Sequence, residues 1–250
     1  MADYNVMVHK WLAQLGDWDQ SSAFSAWQSL EQEVLRSSKP GNEEYAAQIA
    51  TVIADAMILP KPERLRDDRL AKSSFTPGAR RIMARMLGYI PTDAVLPQMA
   101  KALKDFDVRE MVRCSLETNP SGGATDLLIS ALNEPGGRFR AGVVNTLARR
   151  GGGKVLEALK KAASDPQTDV RIAAIEGLAG YPEPSHDAII SKALSSENAE
   201  ERQRAHVARA RIAAVLKAAN KQQAAAKISN AILASDAPGP QKTSARRTLA

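Results

Sequence analysis

The sequence predicts an all-α protein built from stacked helical hairpins, and three observations carry that expectation. The 250 residues are 44% apolar but only 4% aromatic, so Ala, Leu, Ile and Val supply nearly all of the apolar fraction. Small aliphatic side chains suit closely packed helices. The second observation is a repeat. Arg109, Arg140, Arg171 and Arg202 follow one another at intervals of 31 residues, with Arg80 placed 29 before Arg109. The third is that apolar columns accompany the arginines at helical spacing, while glycines and prolines fall between the columns.

The columns define each hairpin. Seven residues beyond four of the arginines, or their aligned place in the first unit, stand Leu87, Leu116, Leu147 and Leu178; beside them run Met83, Val112, Val143 and Ala174. These pairs lie on one face of a first helix. A second cluster follows with Met99, Leu128, Leu159 and Ile190, then Ala102, Ala131, Ala162 and Ala193, then Leu103, Leu132, Ala163 and Leu194. It marks a second amphipathic helix. Between the two lie Gly88 with Pro91, Pro120 with Gly122 and Gly123, Gly151 to Gly153, and Gly180 with Pro182 and Pro184. One hairpin of this kind cannot bury its own apolar face, so neighbouring units must stack.

At Asp107-Val108-Arg109 and Asp169-Val170-Arg171-Ile172-Ala173-Ala174-Ile175-Glu176-Gly177-Leu178 the chain resembles the HEAT-like repeats of the phycobilisome-lyase type. The resemblance runs over roughly residues 74–197, with a degenerate fifth unit from Asn198. It departs from the pattern at Gly136 to Arg140, which lack the acid, and at Arg209, which stands where leucine is expected. It implies a right-handed α-α superhelix, an α-solenoid with a helical N-terminal cap, whose second helices line a concave face. The fifth unit is expected to act as a cap, as terminal repeats do.

The remaining segments are assigned in order. Residues 1–60 read as a helical cap. One helix is expected from Ser22 to Arg36 with Phe24, Trp27, Leu30 and Val34 on one stripe. Another is expected from Glu43 to Ile58, started by Asn42 and stopped by Pro60. Residues 61–77 read as a connecting loop and 78–235 as an array of about five hairpins. Residues 236–250, with two prolines, a glycine and Arg246-Arg247, read as a flexible basic tail.

Charge is unevenly spread. Residues 136–250 hold 19 Lys and Arg against 10 Asp and Glu, whereas residues 1–135 hold 15 against 18. An acidic partner is therefore expected at the C-terminal half. In the second helices, the column Lys101, Ser130, Lys161, Lys192 lies about 155° from the apolar centre and faces solvent. Lys104 and Lys160 extend it. The resemblance puts this row on the concave face, where it would hold an acidic macromolecule. Arg202 with Arg209, and Arg204 with Arg211, form two further basic stripes.

The arginine column has another phase. Arg80, Arg109, Arg140 and Arg171 fall about 20° from the centre of the apolar face, so they point toward the packed side. A cation in a helix's first turn opposes the macrodipole and needs a specific partner. Asp107, Asp169 or acids of the adjoining repeat are the candidates, and the arginines are assigned as staples between repeats.

Chemistry-bearing motifs are scarce. His9, His186 and His206 form no metal pattern, and Cys114 reads as a small buried hydrophobe. No cofactor is expected. Gly151-Gly152-Gly153-Lys154 lacks P-loop spacing and reads as a turn between helices. Iron chemistry of the deoxyhypusine hydroxylase kind would need His-Glu pairs, and none occurs. Base excision would need rings to stack a base, yet Trp11, Trp18 and Trp27 all precede the array. The reading favours a cytoplasmic protein-binding scaffold over an enzyme. A chromophore lyase-like or assembly factor and a nucleic-acid-binding repeat protein are the alternatives.

Overall fold

The computed structural model describes residues 4–15, 21–58 and 75–250. Every regular element among them is helical, so the chain is all-α. It divides into two compact units, residues 1–130 and 131–250.

In the first unit, α1 (Tyr4–Leu15), α2 (Ser21–Ser37) and α3 (Glu43–Met57) pack on one another. Leu12, Leu15, Leu30, Val34, Ile53 and Met57 are buried among them. Of the stripe expected on α2, Leu30 and Val34 are buried, but Phe24 remains 54% exposed, its ring tilted against Trp27 at 5.3 Å. The helix α3 starts after Asn42, yet the Asn42 side chain does not cap it; its amide donates to Arg36 O at 3.3 Å. Pro60, the expected stop, and residues 61–74 of the expected loop lie outside the described residues.

Two hairpins complete this unit. The first joins α4 (Pro77–Leu87) to α5 (Leu96–Ala102), and the second joins α6 (Arg109–Thr118) to α7 (Gly122–Ala131). Thr76 caps α4 by accepting from the Ala79 N–H, with Pro77 placed in the first turn, where its missing N–H costs nothing. The helices α4 and α6 lie side by side.

In the second unit, α8 (Gly137–Arg150) pairs with α9 (Gly153–Ala162) and α10 (Thr168–Leu178) with α11 (His186–Lys192). The 20-residue α12 (Ala199–Ala218) follows, then α13 (Gln222–Ala234) and α14 (Gly239–Leu249). First helices stack in order, α8 on α10 and α10 on α12. Their closeness has a local cause. A Cβ on Gly177 would come within 2.9 Å of Ala148 Cβ, so only glycine lets α10 lie this near α8. At the turn between α8 and α9, Gly151 and Gly152 take φ of +74° and +99°, a region L side chains rarely enter.

The apolar columns form the core. Leu87, Leu116, Leu147 and Leu178 are each at most 1% exposed, and Met99, Leu128, Leu159 and Ile190 match them. The alanine column, Ala102, Ala131, Ala162 and Ala193, is also buried.

One segment corrects the sequence expectation. Residues 239–249 are not a flexible tail but the helix α14, packed on α12 and α13 and burying Ala245 and Thr248. Its proline is harmless because it sits in the first turn. Ala237, just before it, is buried too.

Candidate binding site

The arginines of the repeat column are held by specific partners, and one of them, Arg171, lines the cleft between α9, α10 and α11. Arg80 is 5% exposed; its Nε donates to Met57 O at 2.7 Å and its Nη2 pairs with Asp105 Oδ2 at 2.7 Å. A cation thus satisfies an orphan carbonyl at the C-terminal end of α3, the favourable end for positive charge. Arg109 stacks its guanidinium over the Phe106 ring, 3.8 Å from the centroid. Arg140 pairs with Asp165 at 2.8 Å. Arg171 forks onto Glu201, Nε to Oε1 at 2.7 Å and Nη2 to Oε2 at 2.6 Å.

The acids used by Arg80, Arg140 and Arg171 belong to the following hairpin rather than to the positions two residues upstream. The sequence held a signal for them. Asp105, Glu134 and Asp165 stand 25 residues after Arg80, Arg109 and Arg140, which makes an acidic column in the loop that enters the next hairpin. After Arg171 the same place is Ser196, and the acid moves to Glu201. Sequence reasoning named acids of the adjoining repeat as an alternative to Asp107 and Asp169 but did not single out this column.

Glu201 is the most constrained acid of the set. It is 2% exposed, lies in the first turn of α12, accepts a bond from Ser196 Oγ at 2.7 Å, and its backbone N–H is held by the cap Asn198. The Arg171 guanidinium holds its carboxyl below the usual carboxylate range, and Ser196 acts in the same direction. In return Glu201 raises the Arg171 pKa.

The lysines occupy two units. Lys101 and Lys104 lie in the first and are exposed; Lys160, Lys161 and Lys192 lie in the second. Of these three, the structure brings Lys160 and Lys192 to one cleft of about 480 Å³, together with Arg171, Ser164 and Ser196. Lys161 is exposed beside it, one residue farther along α9. Lys101, Lys160, Lys161 and Lys192 all stand in the last turn of a second helix, where the macrodipole favours a cation. Lys160 also pairs with Glu157 at 2.9 Å, both partly exposed, a bond that contributes little.

The basic stripes on α12 differ in exposure: Arg209 is buried, whereas Arg204 and Arg211 are exposed. Arg209 is 7% exposed and forks onto Asp187 of α11 at 2.7 and 3.2 Å, which corrects the expectation of a binding role there. It takes the leucine's place because a paired guanidinium, unlike a bare one, can be buried. Arg202 caps Ser196 O and Glu197 O. Arg204 meets Glu176 and Glu200, and Arg211 donates to Glu176 O.

One further residue was read differently from sequence. Cys114 is exposed, not buried, on the outer side of α6 beside Arg113. His186 is fully buried; its Nδ1 lies 3.1 Å from Leu178 O while its Nε2 has no partner. Burial pushes its pKa down, so the ring is neutral. Among the described residues no group of His, Cys, Asp and Glu could hold a metal, and no helix is long and apolar enough to cross a membrane.

No protein of curated function matches the sequence. Among solved structures, the complex of CpcE and CpcF of phycocyanin lyase from Nostoc sp. PCC7120 is similar at 19% identity and a TM-score of 0.46, over 97% of this chain and 93% of that one. An engineered protein is similar at 16% identity and a TM-score of 0.42, over 88% and 95%. Human deoxyhypusine hydroxylase in complex with glycerol follows at 15% identity and a TM-score of 0.37, over 98% and 96%. Residues 125–210 match the family model for HEAT repeats. The chain is all-α, and the HEAT-repeat match over residues 125–210 agrees with the hairpin period and the buried columns there.

Proposed function

We propose that the chain is a binding scaffold rather than an enzyme, and that it holds an acidic surface of another protein at the cleft between α9, α10 and α11. The observation that carries this reading is the meeting of Lys160 and Lys192 at that cleft, with the Arg171–Glu201 fork in its wall. Two ammonium groups on different helices, set on a rigid buried frame, present positive charge at low reorganisation cost. The hydroxyls of Ser164 and Ser196 offer further hydrogen bonds. Lys161 borders the cleft, and Lys101 and Lys104 would give the first unit a similar surface. Residues 1–60 serve as a helical cap and 78–235 as the array in this reading, in the cytoplasm.

The test is charge reversal. A variant with Lys160→Glu and Lys192→Glu should lose salt-sensitive capture of its protein partner from an extract of the native host, while Lys227→Glu on α13 should keep it. Unchanged capture in the double variant, with unchanged melting, would sink the reading. Capture abolished by nuclease would transfer it to nucleic acid.

A further inference from the structure

A second cleft in the same unit, about 470 Å³, opens among α8, α10 and α12 and uses none of the lysines. Its construction follows from the repeat. Arg149, Gly180 and Arg211 stand nine residues after Arg140, Arg171 and Arg202, so they occupy one place in three successive hairpins. In the middle hairpin that place has no side chain. The Arg211 guanidinium lies over the gap, close enough that a Cβ on Gly180 would meet its Nη2 at 3.1 Å. Arg149 lines the cleft as well.

Helix C-terminal ends ordinarily repel anions, because their last carbonyls are unsatisfied. Here two of those carbonyls are occupied. Tyr181 donates its hydroxyl to Ala148 O at 2.6 Å, and Arg211 donates to Glu176 O at 3.3 Å. The Glu176 carboxylate, also in the lining, is drawn to Arg204 at 3.1 Å. With Arg204 and its second partner Glu200 included, three guanidiniums against two carboxylates leave a single net positive charge around the cleft, with the Asn145 amide in its lining. Guanidinium is a planar fork that matches a carboxylate.

We propose that this notch binds a carboxylate, with Arg149 and Arg211 as its anchors and Gly180 as the residue that makes room. A single net charge suits one carboxylate group, the rest of its ligand remaining in solvent, better than a phosphate dianion. The site is separate from the lysine cleft and stands or falls without it.

The experiment uses the full chain carrying Lys160→Glu and Lys192→Glu, so that the lysine cleft contributes nothing. The probes are a fluorescein-labelled octaglutamate peptide, glutarate and inorganic phosphate, followed by anisotropy and calorimetry. Octaglutamate should bind, and adding Arg149→Ala with Arg211→Ala should weaken it at least tenfold with melting unchanged. Arg211→Lys should not restore the affinity, since it keeps the charge and loses the fork. Gly180→Ala, which moves Arg211 and removes no charge, should also weaken binding. Competition by glutarate would mean that a free organic acid suffices, whereas binding of the peptide alone would assign the notch to an acidic side chain of a polypeptide. Affinity indifferent to the arginine pair or to Gly180→Ala would overturn the proposal, as would phosphate competing better than glutarate.

Discussion

Two successive interfaces of the second unit solve one problem in different ways. Between the hairpins of α8 and α10, Arg140 reaches a loop acid, Asp165, whose side chain is 18% exposed. Between α10 and α12, the loop place is Ser196, and Arg171 instead forks onto Glu201, whose side chain is 3% exposed. A loop acid holds its arginine through one bond and remains partly wet. A helix acid in a capped first turn is fixed by the helix itself, so it can be buried and take both arms of the guanidinium. The last regular hairpin is thereby fastened to α12, with α13 and α14 packed on that helix. Terminal repeats lack a neighbour on one side, and a more rigid join to the final helices compensates.

This contrast can be broken most directly at Glu201. Glu201→Ala leaves Arg171 without its fork and should destabilise the protein by about 3 kcal/mol in urea unfolding, as losing one partner of a buried pair does. Asp165→Ala should cost less, about 1 kcal/mol, because its carboxylate is partly solvated and Arg140 keeps Glu134 O within 3.5 Å. Equal losses in the two variants would show that burial of the acid is irrelevant to the join.

The pH dependence sharpens the same comparison with a smaller effect. Glu201 has its folded pKa depressed below its ordinary 4.5, so its contribution is present above about that pH and disappears as pH falls through the folded value. His186 is also depressed, from an ordinary 6.5, because burial disfavours the charged ring. In the unfolded chain it takes up its proton first, so stability should begin to fall below about pH 6.5, before Glu201 responds. Melting curves from pH 8 to pH 3 should therefore show two declines. His186→Gln should remove the upper one and Glu201→Gln the lower; a single decline near pH 4 in the unaltered protein would contradict the buried neutral imidazole.

Lys161→Glu marks the bottom of the scale. It replaces an exposed cation in the last turn of α9 and should shift stability by no more than about 0.5 kcal/mol, through the helix dipole alone. A larger loss would mean that the exposed lysines support the fold.

The sequence by itself determined the class of architecture, because burial in a stacked hairpin is periodic and the period survives in one dimension. Leu147 and Leu178, or Ala131 and Ala162, can be assigned to the core from spacing alone. The lysines of the second helices could be placed outside by the same arithmetic, since a solvent-facing position needs only a helix phase. Pairing was decided by the tertiary structure, because a partner is chosen by proximity in space. Thus Glu201 rather than Asp169 holds Arg171, Asp187 allows Arg209 to be buried where leucine was expected, and Lys160 meets Lys192 while Lys101 belongs to the other unit. The helix α14 illustrates the same limit: its proline, glycine and arginines read as a tail, and it is helical because α12 and α13 offer Ala245 a surface on which to bury. A helix of that length gains most of its stability from such packing, which no local pattern records.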